Sequence, residues 1–233
     1  MKGNQRLFYP AFTLVELLVV ITIIGLLAGL SIPAIGKARQ TSSRGISAGN
    51  LKNLATAIFS YAGENDGSLP GGSTTLSGIS PIAKASAANS LQVQLMDYLD
   101  KNRPSGNSWG SYYLKSLSYP AWLTFNKGTN DRQIPAYIAC QDYPDGQGGS
   151  ISPFGGGKAS NSPMKLLQLP SGGTNRPYAV IETDQKLYSS VTWNTPSWRA
   201  NLSSNALHGA VRNVLYFDGS VQAVSVDKTP YPW

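Results

Sequence analysis

The stretch FTLVELLVVITIIGLLAGLSIPAIGKAR, residues 12–39, decides the fold. From Phe12 to Leu30 every residue is apolar or small except two threonines and Glu16. At about 1.5 Å per residue this run reaches roughly 28 Å as a helix, close to the thickness of a bilayer core. It is longer than the apolar region of a secretory signal peptide. The run therefore predicts a helix that spans a membrane.

Glu16 is the only acid in this run and needs its own explanation. A carboxylate inside a membrane span costs roughly 2.5 to 3.5 kcal/mol on insertion scales. Much of this cost is recovered when the carboxylate is paired with a cation. Two interpretations stay open: an acid tolerated near the membrane interface, or an acid with a partner in an assembled state. Small residues at Gly29 and Ser31 also fit conventional signal cleavage, but such a peptide needs no acid.

The segment before the run, MKGNQRLFYPA, is short and basic. Lys2 and Arg6 precede the span without any acid, and positive charge before a first span keeps that end in the cytoplasm. Lys37 and Arg39 follow the span and weaken this bias. Since the leader is too short to be an exported domain, we expect it in the cytoplasm and the rest of the chain outside.

Together these residues resemble the processing signal of type IV prepilins and type II secretion pseudopilins. The shared features are a basic leader, small Ala11 before aromatic Phe12, Glu16 at the fifth position from Phe12, and Pro33 farther along. The family usually has Gly where this chain has Ala11. The resemblance implies that a prepilin peptidase cuts between Ala11 and Phe12 and methylates the new amine. It also implies that Glu16 meets the Phe12 amine of a neighbouring subunit during assembly.

The same resemblance implies the partners and the location. The expected partners are a prepilin peptidase, an inner-membrane platform protein, a cytoplasmic assembly ATPase, other copies or pseudopilins, and membrane lipid. The chain is expected to cross the inner membrane once, with its head in the periplasm or in an extracellular filament. The net charge is +7, but no Lys/Arg cluster with interleaved aromatics occurs, so no nucleic acid is expected. No cofactor is expected either.

A second helical pattern follows in NLKNLATAIFSYA, residues 50–62. Its apolar residues recur at the spacing of one helix face: Leu51, Leu54, Ala55, Ile58, Phe59 and Ala62. We therefore expect one helix from residue 12 to about residue 62, with a kink at Pro33. The sequence GENDGSLPGG, residues 63–72, is dense in turn residues and should end it. Glu64, Asn65 and Asp66 match no complete calcium loop, so a plain turn is favoured there.

The rest of the chain mixes short elements with long loops. SAANSLQVQLMDYLDKN (86–102) predicts a second helix, and AYIAC (136–140) and YAVIETD (178–184) predict strands. NVLYFDGSVQAV (213–224) predicts a hairpin with a two-residue type I′ turn at Asp218-Gly219. That register places Tyr216 opposite Val221 and Val214 opposite Ala223 on the core face. The single cysteine, Cys140, allows no internal disulfide and is expected to be a small buried hydrophobe.

Nine residues separate His208 from Asp218-Gly219. This spacing is similar to the H-X9-DG element of prepilin-like proteins of the Planctomycetes and Verrucomicrobia, an element whose role is poorly defined. The favoured interpretation is structural: His208 stabilises a turn, and Asp218 and Gly219 shape the hairpin. The alternative is a hydrolytic or metal site with Ser203 or Ser204 as nucleophile. One histidine is too few for a zinc site, and no nucleophile-elbow motif occurs, so we expect neither metal nor catalysis.

The predicted fold is α+β and pilin-like: a long N-terminal helix packed on an antiparallel β-sheet head with long loops. Its parts are a cleaved leader (1–11), a transmembrane and filament-core helix (12–35), an amphipathic extension (36–62) and an α+β head outside the cytoplasm (63–233). The predicted function is that of a pseudopilin-like or type IV pilin-like subunit in a filament of a type II secretion or type IV pilus system. The alternatives are a membrane-anchored periplasmic enzyme and a filament-tip binding protein that displays residues 141–163.

Overall fold

The structure is a computed structural model, and not every residue is described. The described residues are 13–71, 78–84, 90–100, 111–126, 134–140, 143–144, 149–155, 162–169, 177–187 and 202–228. The predicted leader and Phe12 lie outside them. The chain divides into two compact units, Met1–Thr41 and Ser42–Trp233. The second unit thus begins inside the long N-terminal helix.

Helix α1 spans Leu14–Glu64 and continues through Pro33 without interruption. The prediction of one long helix is confirmed. The predicted turn after it is confirmed as well, because Asp66 and Gly67 adopt positive φ angles of 53° and 77°. The Gly67 amide donates to the Ala62 carbonyl over 2.8 Å, the bond across a left-handed cap that closes many helices.

The two halves of α1 differ in burial. Every residue from 13 to 42 is exposed. The second half buries one face in the Ser42–Trp233 unit, through Ser43, Ser47, Asn50, Leu51, Leu54, Ala55, Ala57, Ile58 and Ala62. Phe59, which the periodicity placed on the buried face, lies at its edge and is 36% exposed. The amphipathic pattern therefore locates the buried face correctly except at this edge.

The head contains a five-stranded antiparallel sheet with strand order β1-β4-β7-β8-β9. Its strands are β1 Gly78–Ile79, β4 Tyr137–Ala139, β7 Tyr178–Glu182, β8 Val211–Tyr216 and β9 Val221–Ser225. Two small antiparallel pairs accompany it: β2 Ile82–Lys84 with β3 Ser111–Tyr113, and β5 Tyr143–Pro144 with β6 Ser150–Ile151. The strands predicted at 136–140 and 178–184 are confirmed as β4 and β7. Within the described residues the fold is α+β with a long N-terminal helix.

The remaining helices are short. They are α2 Leu91–Gln94, α3 Met96–Leu99 and α4 Pro120–Phe125, with 3-10 turns at Lys115–Leu117 and Leu166–Gln168. The prediction of one helix over 86–102 is wrong, since the described part of this region forms two four-residue helices. Leu95 separates them with ψ near −1°. Leu95 and Met96, on either side of the boundary between the two helices, are both fully buried.

Side chains alternate along each strand, and the central strands of the sheet bury residues on both faces. Ala139, Val180 and Leu215 belong to the same apolar cluster as the second half of α1. Their strand neighbours Ile138, Ile181 and Val214 belong to a second cluster. Members of that second cluster include Ile134, Leu187, Leu202 and the buried Cys140. The expectation of a buried cysteine is confirmed.

The hairpin β8–β9 forms, but the predicted register is wrong by one residue. Leu215 pairs with Val221 and Asn213 with Ala223. The loop has three residues, 217–219, because the Tyr216 amide donates to the Ser220 carbonyl over 2.9 Å. Gly219 alone supplies a positive φ, 80°, whereas a type I′ turn requires two such residues. A one-residue shift exchanges the two faces, so Asn213 and Leu215 point to α1 instead of Val214 and Tyr216.

Candidate functional site

The start of α1 carries the first candidate site, around Glu16. The Glu16 Oε2 atom accepts the Thr13 hydroxyl over 2.7 Å and the Thr13 amide over 2.9 Å. The Thr13 hydroxyl in turn accepts the Glu16 amide over 3.2 Å. This reciprocal arrangement is a capping box, which the T-x-x-E spacing signals in the sequence. The sequence analysis assigned Glu16 only its membrane cost and missed this role; Ala11 and Phe12 lie outside the described residues.

The first half of α1 exposes its apolar side chains. The large apolar side chains between Leu14 and Ile35 are 45% to 78% exposed. The helix is long and apolar enough, by length and composition, to span a membrane. Thr22 and Ser31 donate their hydroxyls back to the Leu18 and Leu27 carbonyls, each over 2.7 Å. These hydroxyls are therefore satisfied within the helix, as lipid requires.

The second candidate site is a buried polar cluster between α1 and the sheet, the Glu182 cluster: Ser47, Tyr137, Glu182, His208 and Asn213. Glu182 ends β7 and is 4% exposed. The Ser47 hydroxyl donates to its Oε1 atom. The Asn213 amide donates to Oε2 over 2.7 Å, and the Asn213 side chain donates to Oε1 over 3.0 Å. Three donors on one carboxylate are the compensation that burial of such a group demands.

His208 completes this cluster. Its Nε2 atom lies 3.0 Å from Glu182 Oε1, within ion-pair distance. The ring N–H does not point along this line, and neither ring nitrogen has a hydrogen-bond partner among the described residues. The imidazole packs against the Tyr119 ring, with centroids 5.2 Å apart. His208 therefore fills the space between the Tyr119 ring and the Glu182 carboxylate.

Further polar contacts attach the same part of α1 to the head. The Asn50 side chain donates to the Ser118 carbonyl over 2.7 Å. The Ala121 amide donates to the Ser43 hydroxyl over 3.0 Å. Asn213 also donates to the Arg44 carbonyl over 3.0 Å. The first two turns of the buried helix face are therefore held by directed hydrogen bonds.

A second buried ion pair lies beyond the end of β7. Arg212 donates from Nε to Asp184 Oδ2 over 2.6 Å and from its terminal nitrogen to Oδ1 over 3.2 Å. The Leu187 amide also donates to Asp184 Oδ1, over 2.8 Å. Both charged side chains are at most 3% exposed. The two-pronged geometry matches the planar guanidinium and keeps these charges satisfied inside the protein.

Burial also affects the tyrosines near Glu182. Burial first, and then the nearby Glu182 carboxylate, raise the pKa of Tyr119 well above its usual value. Burial likewise raises the pKa of Tyr137, although its hydrogen bond to Ser47 acts in the opposite direction. Both phenols are consequently neutral in the folded protein at any pH near neutrality.

The structure does not bring His208 and Asp218 together. His208 precedes β8 and is buried, whereas Asp218 follows β8 and is exposed. The six residues of β8 separate them by about 20 Å. Asp218 Oδ1 accepts the Ser220 amide over 2.8 Å, and Ser203 donates to the Asn205 carbonyl over 2.6 Å. His208 lies in a turn in which the Gly209 amide donates to the Ala206 carbonyl over 3.1 Å, and its ring lies beside Glu182; its role in that turn stays a prediction.

Sequence reasoning missed most of the Glu182 cluster. An acid that ends an otherwise apolar strand, as Glu182 ends YAVIE, was the available signal. Asn213 in the middle of β8 was another. Both become informative only once α1 is known to cover that face of the sheet.

No protein-family model, no curated protein and no solved structure matches this chain. Among the described residues, no group of three or more His, Cys, Asp or Glu side chains could hold a metal ion. The interpretation of both candidate sites therefore rests on their geometry and on the sequence patterns that carry them.

Proposed function

We propose that the chain is a structural subunit, pseudopilin-like or type IV pilin-like, that is processed at Ala11–Phe12 and assembles into a filament of a type II secretion or type IV pilus system. The observation that carries this proposal is the contrast between the two halves of α1. The second half buries one face in the head. The first half exposes large apolar side chains from Leu14 to Ile35. Such a surface requires lipid or protein to cover it.

Lipid covers this surface before assembly and the helices of other subunits cover it afterwards. Glu16, at the start of the helix, favours a filament subunit over a plain membrane anchor, because an anchor has no use for an acid in its apolar run. Thr13 satisfies hydrogen bonds of Glu16, but it carries no charge to compensate the carboxylate in a low-dielectric environment. The Phe12 amine of a neighbouring subunit supplies that charge when the filament forms.

Two substitutions separate the charge of Glu16 from its role in the helix cap. Glu16→Gln keeps an acceptor at the third position of the capping box but removes the charge. Thr13→Ala keeps the charge but removes the cap, at a cost of about 1 kcal/mol to the helix end. We expect Glu16→Gln to abolish filaments and Thr13→Ala to lower their yield only moderately. The measurement is the yield of sheared filaments relative to total processed subunit, in cells that carry the assembly machinery.

The matched control is Thr22→Ala, which removes a hydroxyl that bonds only within the helix. It should leave filament yield unchanged. Normal filaments from Glu16→Gln would refute charge pairing. Equal loss from Glu16→Gln and Thr13→Ala would show that Glu16 acts through the cap instead.

A further inference from the structure

The nine residues between His208 and Asp218 have a simple structural meaning. They are Gly209, Ala210, the six residues of β8 and Phe217. His208 and the Asp218-Gly219 turn therefore mark the two ends of one strand. That strand carries Asn213 and Leu215 on the face that α1 covers. The spacing is thus the length of β8 plus its connections.

Both ends of this 208–219 segment reach α1. At one end His208 contacts Glu182, which accepts the Ser47 hydroxyl, and Asn213 bonds the Arg44 carbonyl. At the other end a Cβ atom built on Gly219 would lie only 3.1 Å from Cε2 of Phe59. The backbone of the turn therefore packs against the Phe59 ring at a distance that favours glycine.

The two contacts are separated along both elements. On α1, Arg44 and Phe59 are fifteen residues apart, about 22 Å along a helix. On the other side, Asn213 lies inside β8, and Gly219 lies in the turn that follows the end of β8 at Tyr216. The strand and the helix thus run in the same direction with contacts near both ends.

We propose that the 208–219 segment, through the Glu182 cluster at one end and the Gly219–Phe59 contact at the other, fixes the rotation and the axial position of α1 on the sheet. Apolar packing alone specifies these weakly, because the buried face includes small residues such as Ala55, Ala57 and Ala62. The polar bonds of Ser47, Asn50 and Asn213 are all satisfied at only one position, since displacement leaves buried groups unpaired.

This inference concerns the Ser42–Trp233 unit and is independent of filament formation. In this proposal the Glu182 cluster specifies where α1 lies on the sheet, which is a different role from raising the free energy of unfolding. Replacing a buried polar group of this kind with apolar residues often preserves stability. What is lost in the best-documented cases is a unique register between packed elements. The test therefore measures position and stability separately.

The test uses the full-length chain in lipid nanodiscs, in a Cys140→Ala background. Spin labels at the exposed positions Thr56→Cys on α1 and Gln222→Cys on β9 report one distance by pulsed electron paramagnetic resonance. The parent should give one narrow distance distribution. The triple variant Ser47→Ala, Glu182→Leu, His208→Leu should stay folded by circular dichroism. Its distribution should broaden or gain a second population displaced by about 5 Å, one helical turn.

The matched control replaces exposed polar residues of the same helix, Lys52→Ala with Asn53→Ala, and should leave the distribution unchanged. A folded triple variant with the narrow distribution of the parent would overturn the proposal. If the triple variant does not fold, Glu182→Gln decides the question. This variant keeps the shape but presents an amide to the Ser47 and Asn213 donors. A broadened distribution supports the proposal, and a distribution like the parent's overturns it.

Discussion

Two glutamates of this chain lie in opposite environments. Glu182 is 4% exposed and has its compensating groups within the chain: three hydrogen-bond donors and His208. Glu16 is exposed at the start of α1, where the described residues give it only the neutral Thr13. Glu182 is therefore part of the packed interior of the head, and a charged partner for Glu16 belongs to the proposed assembly, in which the Phe12 amine of a neighbouring subunit supplies it.

The buried phenols beside Glu182 predict how stability changes at high pH. Tyrosine in an unfolded chain titrates near pH 10, whereas burial raises the pKa of Tyr119 and Tyr137 in the folded state. Above about pH 10 the unfolded state loses protons that the folded state keeps. The free energy of unfolding should therefore be fully maintained below about pH 10 and fall as the pH rises above it.

Urea unfolding of the full-length protein in detergent, measured from neutral pH to pH 11, tests this expectation. Tyr119→Phe supplies the control, because the Tyr119 hydroxyl has no hydrogen-bond partner among the described residues. This variant should show a shallower loss of stability above pH 10. A loss as steep as in the parent protein would mean that Tyr119 is not a source of the pH dependence.

At the scale of elements, the turn after α1 is held by a neighbouring segment. The Leu69 amide donates to the Met164 carbonyl over 2.9 Å, and the Leu166 amide donates to the Gly67 carbonyl over 2.8 Å. Gly71 exchanges two hydrogen bonds with the Gln94 side chain, over 2.8 and 3.0 Å. These contacts join the end of α1 to both α2 and the 162–169 segment.

Gly71 is the tightest point of this arrangement, and its substitution tests it. A Cβ atom at Gly71 would lie 1.8 Å from the Phe154 backbone oxygen. Gly71→Ala should therefore lower the free energy of unfolding by about 1 to 3 kcal/mol, the usual effect of overpacking. Gly49→Ala is the matched control, because Gly49 is a helical residue with open space around its Cα. It should stabilise by about 0.5 to 1 kcal/mol. Thermal unfolding followed by circular dichroism measures both, and an equal effect at the two glycines would contradict the packing.

Elements with a strong local signal could be predicted from the sequence. The apolar run and the amphipathic pattern specify α1, and the β-rich runs around Asp218-Gly219 specify a hairpin. Its register could not be predicted, because the same dipeptide also fits a three-residue loop in which only Gly219 has a positive φ. The division of the second predicted helix at Leu95 has no signal in the local sequence, which keeps one apolar face through Leu91, Leu95, Tyr98 and Leu99. The Glu182 cluster joins residues up to 166 positions apart, from Ser47 to Asn213, and no local pattern reports such a contact.

At the scale of the whole molecule, the chain combines a head that buries its own core with an apolar helix half that its described residues leave exposed. The head satisfies its buried charges internally, through Glu182 with His208 and Asp184 with Arg212. Between Glu16 and Glu64, the last residue of α1, the helix contains no acidic residue. This contrast supports the proposed function, in which the apolar half of α1 lies first in lipid and then in a filament.

The mature N-terminus tests this account most directly. The measurement is the intact mass of the subunit extracted from membranes of cells that contain a prepilin peptidase, with the N-terminal peptide sequenced by mass spectrometry. The account predicts a chain that lacks residues 1–11, begins at Phe12 and carries one methyl group on its amine. A mature chain that begins at Ile32, after conventional signal cleavage, would remove the apolar half altogether and would contradict a role in filament assembly.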